Sequence, residues 1–258
     1  MRVFLLVFAP VVALVVAGCG GTAYDSLINR RLDQLRASAP FRILWGPTTL
    51  DETGVSIRVP MAFRESYKPD SGHPDDNGRI KPERFQPPFL KLPGLKLCYE
   101  GKVADAAGGK VPFYCYLAAV PKGDAEKIAA QLEEQLKAKF PNTPADWENV
   151  DAKTPDDKAV SWRKLRVEGE QPFFVEGQPE AKVMPGIFEV WVHKADGYAV
   201  MVAWRAPKEI DTPITPATQN PASQMSANAK PDLQSMPALT AGTLRVEAVA
   251  EPAPDAAG

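Results

Sequence analysis

Histidine is nearly absent, with only His73 and His193 in 258 residues, and cysteine is confined to Cys19, Cys98 and Cys115. No histidine stands near either Cys98 or Cys115 in the chain, so a thiol activated for nucleophilic catalysis is not supported. An excess of one charge is also missing, with 30 basic against 32 acidic side chains. That balance argues against a nucleic-acid partner, which would want a basic face. No run of like charges is present, so electrostatic attachment to anionic lipid has no basis either. G-x-S-x-G elbows, P-loops, H-E-x-x-H helices and dinucleotide-binding glycine patterns are all absent. No catalytic residue, metal or cofactor is assigned.

The acidic loop around "DSGHPDDNGR" fails as a calcium site. His73 replaces the first aspartate of the loop, and Arg84 stands where the bidentate glutamate belongs. Asp70, His73, Asp75 and Asp76 therefore read as a solvated turn. His193 sits one residue from the end of an apolar strand and reads as structural.

A long hydrophobic run is present once, at the N-terminus. Arg2 supplies a short positive region, and Val3–Ala17 is apolar apart from Pro10. As a helix these residues span about 22 Å, short of the ~30 Å hydrocarbon core. A small-residue exit after such a run marks a secretory signal rather than a transmembrane helix. At that exit stand Val16, Ala17, Gly18 and Cys19, which resemble the lipobox of bacterial lipoproteins. The resemblance covers about the first 20 residues and departs from the family's more usual leucine at Val16. It implies a diacylglycerol on the Cys19 thiol, cleavage after Gly18, and usually acylation (for example with palmitate) of the new amino group. Two or three acyl chains give stable anchoring where one gives only marginal binding. The residue after Cys19 is Gly20, not aspartate, which by analogy with enteric sorting favours the outer over the inner cell membrane.

Next to this anchor, Tyr24, Leu27, Ile28, Leu32 and Leu35 fall at three- and four-residue spacings, with Arg30, Arg31, Asp33 and Arg36 outside the stripe. The spacing predicts a short helix ended by Pro40, docked on the domain or standing as a stalk. The 26 prolines, about twice average usage, cluster in Tyr67–Gly94 and beyond Pro207. Proline fixes φ and removes a backbone donor, so Tyr67–Gly94 is expected as a long surface loop. Past Pro207 the chain is too poor in large apolar residues to offset its ordering entropy and reads as a largely disordered tail. "TLRVEAV" is the exception, a candidate edge strand.

Between these segments lie strands and one strong helix. "GVSIRVP" alternates Val55, Ile57 and Val59. "GLKLCYEG" and "VPFYCYLAAV" form a hairpin, and "AVSWRKLRV" follows a polar connector at "NTPADWENVDAKTPDD". "IFEVWVHK" and "YAVMVAWR" flank "ADG", a strong turn signal. With Asp196 and Gly197 as the loop, Val190 faces Ala203, Trp191 faces Val202 and Val192 faces Met201. Both faces of this hairpin are apolar, which predicts a central, doubly covered position. Gly123–Lys139 is the helix, with Asp124 as its cap and Ala125, Ile128, Leu132, Leu136 and Phe140 as its buried stripe.

Together these predict an α+β fold, an antiparallel sheet with one main helix packed on it and a short N-terminal helix. The expected layout is a signal peptide over 1–18, an anchor-proximal helix over 19–40, a globular domain over 41–206 and a tail over 207–258. In element order, the middle from "GVSIRVP" to the last hairpin is similar to PsbP/Mog1-like domains. That similarity implies a binding or assembly module.

Two candidate sites remain. Cys98 and Cys115 sit on the two arms of one hairpin in an exported chain, where disulfides are allowed. Directly opposite each other, they would form a cross-strand bridge. If Leu95, Leu97 and Tyr99 pair with Phe113, Cys115 and Leu117, the thiols fall on opposite faces and stay reduced. Trp162, Trp191 and Trp204, with Tyr99, Tyr114 and Tyr116, are either sheet core or a binding surface. The functional expectation is a lipid-anchored envelope protein, tethered to the membrane at Cys19 and facing the periplasm. It binds an unknown envelope protein, or supports an envelope assembly, without catalysis. The alternatives are a carrier of a small apolar ligand and an enzyme of unrecognised class.

Overall fold

Strands β8 (Lys182–Ala195) and β9 (Tyr198–Pro207) meet through the two-residue turn Asp196–Gly197. Gly197 takes φ 75°, a region that side chains rarely adopt. The register is the one expected: Val190 lies opposite Ala203, Trp191 opposite Val202 and Val192 opposite Met201. Residues 190–192 and 199–205 are buried on both faces of the hairpin, so it must lie inside a larger sheet.

In the computed structural model that sheet has seven strands. The structure describes residues 24–50, 53–69, 82–104, 109–208 and 236–246. Cys19, with its flanking lipobox, and the His73 loop lie outside these residues. The other strands of the sheet are β3 (Phe63–Tyr67), β4 (Leu95–Ala104), β5 (Lys110–Pro121), β6 (Glu148–Lys153) and β7 (Ala159–Phe173). Their spatial order is β3-β4-β5-β9-β8-β7-β6, and every pairing is antiparallel. A second sheet joins β1 (Thr48–Leu50), β2 (Val55–Ile57) and β10 (Arg245–Val246). Among the described residues three α-helices accompany them: α1 over residues 24–38, α2 (Ala125–Lys139) and α3 (Met236–Ala241). The fold is α+β.

One face of the large sheet carries α2. The Asp124 carboxylate accepts hydrogen bonds from the Glu126 and Lys127 amides, which fixes the helix start. Ala125, Ile128, Leu132, Leu136 and Phe140 are buried against Leu165, Val167, Val190 and Met201. The opposite face packs on the small sheet and α3, where Val55, Ile57, Val59, Met236 and Leu244 meet Phe113, Leu117, Val202 and Trp204.

Three expectations need correction, and one open alternative is decided. The second half of the proline-rich segment is not a surface loop. Leu90 and Leu92 are buried, and Phe89 packs edge-on against Phe140 and Phe188. Proline bars this segment from sheet pairing but not from covering a sheet face with its side chains. The globular domain also extends past residue 206. Met236–Val246 returns as α3 and β10, and Thr243 Oγ1 accepts from the Arg58 amide at 2.8 Å. The polar connector contains edge strand β6, hard to read because Ala152 is its only fully buried residue. Finally, Cys98 and Cys115 are free. Cys98 pairs with Tyr116 while Cys115 pairs with Tyr99, so the thiols point to opposite faces.

Two buried, unbridged thiols have a direct consequence. A thiol-reactive probe should label neither Cys98 nor Cys115 in the native protein and both after denaturation, and reductant should leave the melting temperature unchanged. A melting temperature that falls on reduction would restore the bridge.

Candidate functional site

Of the two readings open for the tryptophans, sheet core or binding surface, the structure shows core. Trp162, Trp191 and Trp204 are each no more than 4% exposed, in the layer between the two sheets. Trp162 and Trp191 meet edge to face at 6.2 Å, and Trp204 tilts against Phe63 at 5.2 Å. Period-two alternation places a bulky ring on this face and cannot say whether a second sheet covers it. Trp191 Nε1 donates to Glu189 Oε1 at 2.6 Å, and burial pushes the Glu189 carboxyl above its ordinary value despite that bond. His193 is structural, with Nδ1 2.8 Å from the Ser161 carbonyl oxygen.

A different constellation gathers on the helix-bearing face, around the end of the sheet where the proline-rich segment crosses it. The 3-10 turn Pro82–Arg84 buries both Glu83 and Arg84. Arg84 Nε donates to Glu100 Oε2 at 2.8 Å and Nη2 to Glu65 Oε2 at 3.4 Å. The guanidinium lies 3.9 Å over the Tyr67 ring, and the Tyr67 hydroxyl donates to the Glu65 carboxylate. Tyr116 donates to the Glu83 carbonyl oxygen at 2.8 Å. Tyr114 stacks on Tyr116 and lies across the strand pair from Arg205. Arg205 is fully buried. Its Nε donates to Gln171 Oε1 at 3.2 Å, its Nη2 donates to the Pro172 carbonyl oxygen, and its guanidinium lies 4.4 Å over Phe173.

Three donors of this cluster, Tyr114 Oη–H, Gln171 Nε2–H and Arg205 Nη1–H, have no hydrogen-bond partner among the described residues. The buried thiol and phenols of the cluster are held in their unreactive forms. Burial pushes the Cys98 thiol and the Tyr114 and Tyr116 phenols well above their ordinary values. Burial works against the Arg84 charge, but the Glu100 hydrogen bond and charge, with Tyr67 and Glu65 beside it, together more than offset it. A thiol or phenol so raised is neutral at physiological pH and is no nucleophile. The arrangement is a latch holding the proline-rich segment on the sheet.

Sequence reasoning missed this latch because its members are scattered. Glu100 and Arg205 read as ordinary ends of apolar strands, and Arg84 was weighed only as a misplaced calcium ligand. The one available signal was alternation, which puts Arg205 on the same face as Ala203 and Met201. Among the described residues no group of three His, Cys, Asp or Glu side chains could hold a metal. No helix there is long and apolar enough to cross a membrane.

The described surface has one run of large exposed apolar side chains on a single element. It is the α1 stripe of Tyr24, Leu27, Ile28, Leu32 and Leu35, each between 40% and 64% exposed. In comparisons with known proteins, no family model matches the chain and no curated protein matches it.

Removing one member of the Arg84–Glu100 pair leaves a buried charge uncompensated. Glu100→Gln should lower unfolding stability in urea by about 3 kcal/mol, and Arg84→Met with Glu100→Leu should recover most of that loss. Equal loss in the single and double variants would show that the pair is not the latch. Glu189 has a raised folded-state value, so stability present below its unfolded value is lost as pH rises toward the folded one. Glu189→Gln should therefore gain stability relative to wild type between pH 4 and pH 7; a constant difference across that window contradicts the burial effect.

Proposed function

We propose that the chain is a lipid-anchored bacterial cell-envelope protein, exported and tethered through Cys19, with its α+β domain acting in the periplasm as a non-catalytic partner-binding or assembly module. The observation that carries this reading is the placement of apolar surface. The domain core is filled on both sheet faces, while a helix described from Tyr24 onward, five residues after Cys19, leaves its apolar stripe uncovered. A large exposed stripe on one element marks a surface that meets another body.

The carrier alternative needs a cavity walled by Trp162, Trp191 and Trp204, and those rings are instead packed against other side chains of the inter-sheet layer. An enzyme needs a group poised for proton transfer or attack. The buried thiol and phenols of the latch are shifted away from such readiness.

Fatty-acid labelling in the expressing bacterium tests the tether. Wild type should incorporate the label and fractionate with membranes, and Cys19→Ala should incorporate none. A wild type that stays unlabelled would end this reading.

A further inference from the structure

We infer that α1 lies flat on the lipid bilayer, its apolar stripe seated at the boundary between headgroups and acyl chains. The inference deepens the tethered reading above and rests on it. Residues 24–36 are exposed along their whole length, so no described element of the domain covers the stripe. Among the described residues the first buried side chain is Phe41, in the 3-10 turn Ala39–Ile43 that follows. The 15 helical residues span about 22 Å and carry a polar back. They are built to lie in an interface rather than to cross it.

Tether length and charge both favour the bilayer as the occupant. Tyr24 is 24 − 19 = 5 residues beyond Cys19. Even fully extended, that connection reaches only about 18 Å, so acyl chains on Cys19 hold the first turn at the membrane surface. At 3.6 residues per turn the five apolar side chains fill an arc of about 140°. Arg30 and Arg36 fall at its two borders, and Asp33, which pairs with Arg36 at 3.4 Å, lies on the far side. Arg31 falls within the arc itself, although its charge alone would set it apart from the stripe.

That arginine discriminates between occupants. In a dry seam against a second copy of this helix, its guanidinium would be buried without a carboxylate on the same arc. At a bilayer it extends to the headgroup phosphates while its methylenes stay with the apolar side chains.

The test uses the mature, full-length acylated protein reconstituted in phosphatidylethanolamine–phosphatidylglycerol vesicles. Nitroxide labels go on Leu32→Cys or Asp33→Cys, since the native Cys98 and Cys115 are buried. The Leu32→Cys label should be relaxed by lipid-dissolved oxygen and shielded from an aqueous nickel chelate, with the reverse at Asp33→Cys. Two labels equally open to nickel would mean that the helix stands free in water. Dipolar broadening at Leu32→Cys, with shielding from both relaxants, would mean that a second copy covers the stripe. Either result overturns the inference. The tether fails separately, if the same sample's intact mass shows no acyl chains on the first residue, because the oxygen–nickel contrast still reports where the helix lies on the added vesicles.

Discussion

The constraint on which the structure depends is that its central strands are apolar on both faces. A sheet with one greasy face needs one cover; β5, β9 and the adjoining half of β8 need two. The first cover is α2 with the proline-rich segment, and the second is the small sheet with α3. Segments that look dispensable acquire a role from this demand. Leu90 and Leu92 close the helix side between their prolines. Met236 and Leu244 close the other side. Without these covers, Trp191, Trp204, Tyr114 and Tyr116 would face water.

The Arg84 latch follows from the same demand. A proline-rich segment cannot hydrogen-bond into the sheet, so it is held by side chains: Arg84 on Glu100, and Tyr116 on the Glu83 carbonyl. Charges taken out of water cost energy unless paired with good geometry, and the three-way contact among Arg84, Glu100 and Glu65 supplies the pairing. The result is a closed body in which burial keeps the Cys98 thiol and the Tyr114 and Tyr116 phenols neutral. Its uncovered apolar surface lies on α1, at the end of the chain that carries Cys19.

Local rules made much of this legible. The β8–β9 register followed from a two-residue turn and alternation, and α2 from its cap and stripe. Tyr99 opposite Cys115 was one of two registers left open, decided by the apolar face that β4 shares with β5. What stayed hidden depends on contacts distant in sequence. Arg58 with Thr243 and Arg84 with Glu100 leave no local trace, nor does burial of the tryptophans under a sheet whose third strand comes from residues 245–246. Edge strand β6, with little alternation to read, escaped for the opposite reason: its outer face is in water.

Closure is the central claim, because it separates a rigid tethered body from a carrier that opens to admit a ligand. The most direct measurement is hydrogen exchange of the indole N–H groups of Trp162, Trp191 and Trp204 in the native protein, followed by NMR. A closed domain predicts that all three exchange only as fast as the whole domain unfolds. Indole exchange within minutes, with β5 and β9 amides still protected, would reveal an opening between the two sheets and contradict the account.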